Sequence, residues 1–291
     1  MLSLALGLFV SATVLVACGG DSDSSDGGSS EQEVYESGSF DFSAKNSDGV
    51  TIYYNVLNAE EAEVTYASWG KYGHLGYEKV KNVRIPSTAT NNGRTLRVTR
   101  IGKEAFLTNE SIPESITIPN SITSIGDMGL GHAEKIVITD IGAWCNIKFE
   151  SAPPLYTRHI YSNNNTEITS LTIPSGVTSI SDDAFYGCES ITEISLPSTL
   201  EKIGKNAFRD CHITAITIPT SVREIGSCAF STSTLLSVTS LMEEPIPFAV
   251  AYENLFADKT FKNGTLYVPK GTLSKYKETP GWMSFLYIEE L

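Results

Sequence analysis

Apolar and polar positions between Leu171 and Phe230 recur in the same order three times: LTIPSGVTSISDDAF, ISLPSTLEKIGKNAF and ITIPTSVREIGSCAF. Pro174, Pro197 and Pro219 stand 23 and then 22 residues apart. Each is followed by an Ile six positions on (Ile180, Ile203, Ile225) and a Phe eleven positions on (Phe185, Phe208, Phe230). A fixed period in the low twenties with apolar anchors at constant offsets predicts a solenoid of stacked coils, one short strand per coil. Such a coil cannot bury its apolar groups alone, so several must stack to share a core.

Each unit opens apolar–polar–apolar–Pro, as in Ile216-Thr217-Ile218-Pro219. In a strand the flanking apolar side chains share one face and the middle residue points to the other. Proline has no N–H for a ladder and marks where the strand ends. A second short apolar pair follows, closed by Gly126, Gly204 or Gly226, which are read as permitting a tight change of direction. The Ala-Phe pair then turns inward: the small Ala admits close backbone approach and the Phe fills the coil.

The phrase extends N-terminally with lower fidelity. Ile116-Thr117-Ile118-Pro119 leads to Ile125-Gly126 and Gly129-Leu130. Val83-Arg84-Ile85-Pro86 leads to Ile101-Gly102 and Ala105-Phe106, with nine extra residues, STATNNGRT, carrying the turn signal Asn92-Gly93. After Phe230, Leu235 to Leu241 supplies a further strand, and Leu266-Tyr267-Val268-Pro269 repeats the phrase once more.

The recurring I-x-I-P…I-G…A-F phrase, over roughly residues 80 to 291, resembles the bacterial leucine-rich repeats of the BspA-like type, common in Bacteroidetes surface lipoproteins. The resemblance implies a leucine-rich-repeat solenoid, rich in β-structure with irregular or short helical returns. It also implies an adhesin-like, macromolecule-binding role, though repeat scaffolds carry many functions.

The N-terminus fits that setting. Met1 to Ala17 carry no charge and end in Leu15-Val16-Ala17-Cys18. The run is short for a membrane span and reads as an export signal. Its end resembles a bacterial lipobox, which implies acylation at Cys18 and a stable outer-membrane anchor. The basic stretch that ordinarily precedes such a signal is missing, so the true start is expected upstream. Residues 18–33 form an acidic Gly/Ser tether able to span roughly 50 Å. Asp21, Asp23 and Asp26 resemble the acidic residues that accompany surface export in Bacteroidetes lipoproteins.

Residues 34–79 lack the repeat phrase but alternate as short strands around Phe40 to Phe42, Thr51 to Leu57 and Glu63 to Tyr66. They are read as an N-terminal β cap over the exposed edge of the array. The solenoid then runs over 80–265, with an irregular coil at 136–170 in which GAWCNIKFES stands where Ala-Phe belongs. Trp144, Phe149, Tyr156 and Tyr161 in that coil are read as packing it, the alternative being an exposed aromatic binding site. Residues 266–291, with a short helical stretch from Leu273 to Lys277 and an aromatic-rich end, are read as a C-terminal cap.

Charge and chemistry narrow the function. Lys+Arg 21 against Asp+Glu 34 gives −13, which disfavours a nucleic-acid partner. Cys188 and Cys211 stand on neighbouring coils at a position that prefers a small residue. Stacking brings them within disulfide reach, but the other coils hold Asn109, Ala133 and Ser233 there. His74, His132, His159 and His212 are scattered without metal-ligand spacing, and neither a hydrolase elbow nor a phosphate-binding loop occurs. No catalytic, cofactor or metal site is therefore expected. The repeats offer one surface: Thr117, Thr172, Ser195 and Thr217, the middle residues of their strands, are expected to line up as a polar outward face. The first reading is a monomeric cell-surface lipoprotein binding a host matrix protein or glycan. The others are an envelope scaffold, as an accessory subunit of an outer-membrane complex, and a glycan-directed enzyme with its catalytic groups in the irregular region 139–170.

Overall fold

Each I-x-I-P phrase forms a strand of three or four residues, and in most coils the Ile six positions after the proline ends a second strand of two. The structure is a computed structural model. It describes residues 40–70, 73–77, 80–107, 113–151, 159–232, 234–248 and 254–291, within one compact unit, Tyr35–Leu291.

The first strands stack in parallel. Asn82–Arg84, Ser115–Ile118, Lys135–Ile138 and Ile160–Ser162 form one four-stranded sheet in that spatial order. Ser170–Thr172 pairs with Glu193–Ser195. Ala215–Ile218, Ser237–Ser240, Thr265–Val268 and Tyr287–Glu290 form a further four-stranded parallel sheet. The second strands make their own stacks: Ser124–Ile125 lies between Arg94–Ile101 and Lys148–Phe149, and Lys202–Ile203 lies between Ser179–Ile180 and Glu224–Ile225. Pairing equivalent residues of successive coils satisfies the short backbone segments that no single coil could satisfy.

Between the two strands of a coil and the next lies the Ala-Phe segment, which makes a third line of inter-coil bonds. The backbone N of Phe185 donates to Ala207 O at 2.9 Å, and that of Phe208 to Ala229 O at 2.9 Å. The residue before each Ala is left-handed: Glu104, Asp183, Asn206 and Cys228 have φ between 53° and 61°. Asp and Asn tolerate that conformation better than most side chains. The rings of Phe185, Phe208, Phe230 and Phe256 are buried and stacked in series. Phe256 closes the series from a coil whose sequence hides the phrase.

The glycines at the end of the second strands act differently from the expectation. None of Gly126, Gly204 and Gly226 has a left-handed φ. A Cβ at Gly204 would instead lie 2.4 Å from the backbone N of Asp182, and one at Gly226 would lie 2.3 Å from that of Lys205. Close approach of successive coils, not a change of direction, requires glycine there.

Toward the N-terminus, Phe42–Lys45, Thr51–Val56 and Glu61–Thr65 form an antiparallel three-strand ladder whose last strand runs parallel to Arg94–Ile101. The inserted STATNNGRT segment is a β-hairpin, Thr88–Asn91 against Arg94–Ile101, with Asn92 and Gly93 both left-handed at the turn. In the irregular coil a short helix, Ile141–Cys145, is capped by the Asp140 carboxylate, which accepts from the N–H of Ala143 at 2.7 Å. Trp144 is buried and its indole donates to the Ala184 carbonyl at 2.8 Å, reaching the next Ala-Phe segment. At the C-terminal end Leu273–Glu278 is helical, and Trp282 packs edge-on against Tyr276 and Phe248.

Candidate functional site

The outward face of the first-strand stack has two different halves. Parallel register aligns Arg84, Thr117, Val137 and Tyr161 across the first sheet. Farther on it pairs Thr172 with Ser195, and aligns Thr217, Thr239, Tyr267 and Glu289. Thr172, Ser195 and Thr217 are exposed, whereas Thr117 is 8% exposed. Of the four side chains singled out in the sequence, the structure pairs Thr172 with Ser195 alone. Thr117 belongs to another sheet, because the chain after Ile160–Ser162 turns into a hairpin that returns through Glu167 and Ile168 before the next first strand begins. The polar face is interrupted there.

Thr117 is covered because it lies on the floor of a trough of about 650 Å³. Ser115, Thr117, Val137 and Arg84 supply the floor, with Asp48 and Val50 on one side and Asn163 and Asn165 on the other. Asp48 and Val50 belong to the hairpin turn between Phe42–Lys45 and Thr51–Val56. The Asn46 side-chain oxygen accepts from the N–H of Asp48 and of Val50, both at 2.9 Å, which fixes the turn. Asn46 Nδ2 also donates to the Arg84 carbonyl at 2.8 Å, tying the turn to the sheet edge. The opposite wall is the turn after Ile160–Ser162, closed by Ser162 N donating to Thr166 O at 2.8 Å, with Asn165 left-handed. His159 and Glu167 pair across its base, and Lys135 reaches both the Asn165 side chain and the Tyr161 ring, 3.9 Å from the centroid.

The trough is polar, with two cations and one acid in its lining. Arg84 Nε donates to Asp48 at 3.3 Å, and Lys81 pairs with Glu114 at 3.1 Å. All four side chains are about half or more exposed, so these pairs are screened and weak. Asp48 is the one acid among the described residues lining the trough. The paired carboxylates of glycoside hydrolysis are not assembled in it. No group of three or more His, Cys, Asp or Glu able to hold a metal occurs among the described residues. Cys145, Cys188, Cys211 and Cys228 are free and buried, and burial pushes the Cys145 and Cys188 thiols up to about 12, the opposite of an activated nucleophile.

The aromatic cluster of the irregular coil is split. Trp144 and Phe149 pack edge-on at 5.4 Å, Trp144 in the core, while Tyr161 lies on the outward face beside Val137. Tyr156 lies outside the described residues, as do Cys18, the export signal and the tether. Arg84 was legible as a middle residue of its phrase. Asp48-Gly49 and Asn163 to Asn165 are legible as turns, but their place at the trough is not, because it depends on how two turns project across the sheet. Among the described residues no helix is long and apolar enough to cross a membrane.

Comparison with known proteins places the repeats. The model of the BspA-type leucine-rich repeat region matches residues 75–143 and 158–271, in six copies. Comparison with curated proteins gives no match. Among solved structures, the chain is similar to a leucine-rich cell surface protein of Faecalibacterium prausnitzii, at 17% identity and a TM-score of 0.44, over 86% of this chain and 73% of that one. It is also similar to a leucine-rich repeat protein of Bacteroides ovatus, at 18% identity and a TM-score of 0.38, over 82% of this chain and 66% of that one. The family model covers more than half of the sequence and falls on the coils described above: the chain belongs to the BspA-type leucine-rich repeat family.

Proposed function

We propose that this protein is a non-catalytic, adhesin-like surface lipoprotein that binds a protein or glycan macromolecule through the outward face of its first-strand stack. The observation that carries the reading is the exposure of Thr172, Ser195 and Thr217 on that face, in line with further middle-position residues. Small hydroxyl side chains on a parallel sheet leave a long, shallow surface with donors and acceptors at coil spacing, which suits an extended partner. Family membership supports the binding role. Cys18 anchors the chain to the outer membrane, residues 18–33 hold the repeats away from it, and 34–79 and 266–291 close the two ends of the array.

Protease treatment of intact cells tests the display. The protein is digested on unbroken cells, and the Cys18→Ala form leaves the membrane fraction. Protection until the outer membrane is opened contradicts surface display and turns the same face toward a partner inside the envelope.

A further inference from the structure

The trough differs from the open face in shape and charge. Strand order places the 46–50 turn at one edge of the first sheet, against Arg84, and the 162–166 turn at the other, after Ile160–Ser162. Three inter-strand spacings separate them, about 14 Å. A partner running along the stack meets a wall at each end, so the trough suits a compact terminal group and not a continuous polypeptide.

Its lining says what group. Asn163 and Asn165 bring amides and Thr117 a hydroxyl, the Asn165 oxygen already accepting from Lys135. Ser115 Oγ donates to Asn82 Oδ1 at 2.6 Å, which leaves Asn82 Nδ2 to donate and the Ser115 oxygen to accept, and such groups match sugar hydroxyls. Val50, partly exposed on the wall, adds a small apolar surface of the kind that the C–H face of a pyranose covers, while Val83 and Val137 lie almost fully buried beneath the floor. Arg84 and Lys81 outnumber Asp48 in the lining, with Glu114 pairing Lys81 from outside it and Lys135 close by, on a chain of net charge −13. Arg84 engages Asp48 through Nε, and its two Nη groups form the fork that holds a carboxylate in bidentate fashion.

We propose that the trough is a subsite for the carboxylate-bearing terminal sugar of an acidic glycan, a uronic or sialic acid, with Arg84 as the carboxylate anchor. This deepens the binding reading above and rests on it. Asp48 competes electrostatically: its charge offsets that of Arg84 and repels a second carboxylate, which lowers the affinity for the ligand.

Titration calorimetry of the full chain tests it with two acidic probes, 3′-sialyllactose and a glucuronate-ended tetrasaccharide, each against its neutral counterpart. One acidic probe binds at least tenfold tighter than its neutral form, and which one identifies the sugar. Arg84→Gln weakens that binding at least tenfold. Asp48→Asn, which removes the competitor, tightens it about threefold, a gain that a merely structural role for the turn does not produce. Equal binding of acidic and neutral probes, no binding of either, or an unchanged Asp48→Asn affinity overturns the proposal. So does equal binding of a tetraglutamate peptide, which assigns the trough to acidic polypeptide. If the probes fail while substitutions at Thr172, Ser195 and Thr217 still abolish macromolecule capture, the subsite is wrong and the wider reading stands.

Discussion

The rings of Phe185 and Phe208 lie 5.5 Å apart, centroid to centroid, with planes only 5° from parallel. Phe208 stacks in turn on Phe230 at 5.6 Å, and Phe230 on Phe256 at 5.9 Å. These spacings exceed the strand separation of a sheet by under an ångström or so, so one ring per coil follows the backbone repeat almost without tilt. The Ala before Phe185, Phe208 and Phe230 is fully buried and lets the neighbouring backbone close over the ring, while the buried Leu255 stands in its place before Phe256.

Removing a ring from the middle of this column breaks contacts on both sides. Phe208→Ala is expected to destabilise the protein by about 3–5 kcal/mol. Because each coil contacts only its neighbours, the loss also splits the array into two weakly coupled halves. Urea unfolding should show an earlier and broader transition, whereas Leu236→Ala, at an exposed position, leaves it nearly unchanged.

Gly204 and Gly226 give a second test. An added methyl at either site meets backbone of the preceding coil at 2.3–2.4 Å, which only a shift of the whole stack relieves. Gly204→Ala is expected to lower stability by about 1–3 kcal/mol, the range for overpacking a well-packed site. Gly176 and Gly187 have open space around the added atom but positive φ, so alanine there carries conformational strain alone. Melting curves of Gly204→Ala and Gly176→Ala should therefore differ, with Gly204→Ala the lower.

The buried thiols set an alkaline limit. Burial raises the Cys145 and Cys188 thiols to about 12 from the ordinary 9, and pushes Cys211 up as well. The buried phenol of Tyr276, which also hydrogen-bonds Ser240, is raised to about 12 from 10. In each case the folded chain keeps a proton that the unfolded chain has lost. Their contribution is complete below pH 9, and stability falls as pH rises from about 9 toward 12. Cys188→Ala removes one such group, so its stability should fall less steeply over that window. At pH 8 none of the four described thiols should react with a small alkylating reagent until denaturant is added.

How much of this was readable depended on whether a position repeats. The strands, the buried Ile and Phe anchors and the hairpin at Asn92-Gly93 recur or carry local turn chemistry, so periodicity exposed them. Phe256 belongs to the same ring column but escaped, because the chain between Ser240 and Leu255 breaks the fixed offset from strand to Phe. The role of Gly204 was misjudged for a physical reason: a glycine kept for inter-coil clearance looks the same in sequence as one kept for a left-handed turn. Ser181 stands where Gly204 and Gly226 stand in their coils. Its backbone N meets Cys145 O at 2.8 Å, because the preceding segment there is the Ile141–Cys145 helix and not a glycine turn. The trough was hidden most deeply. Arg84 and Thr117 announce themselves as middle-position residues, but the walls come from turns whose projection no spacing rule gives.

The central claim is that the outward first-strand face carries the binding. The most direct measurement compares capture of the full chain by immobilised extracellular-matrix proteins and glycans for two variants. One combines Thr172→Lys, Ser195→Lys and Thr217→Lys on that face; the other combines Thr178→Lys and Glu201→Lys, exposed residues leading into the second strands. Both sets are exposed, so both variants should fold, as far-ultraviolet circular dichroism would verify. Capture should be at least tenfold weaker for the first variant and unchanged for the second. Unchanged capture by the first variant would contradict the claim.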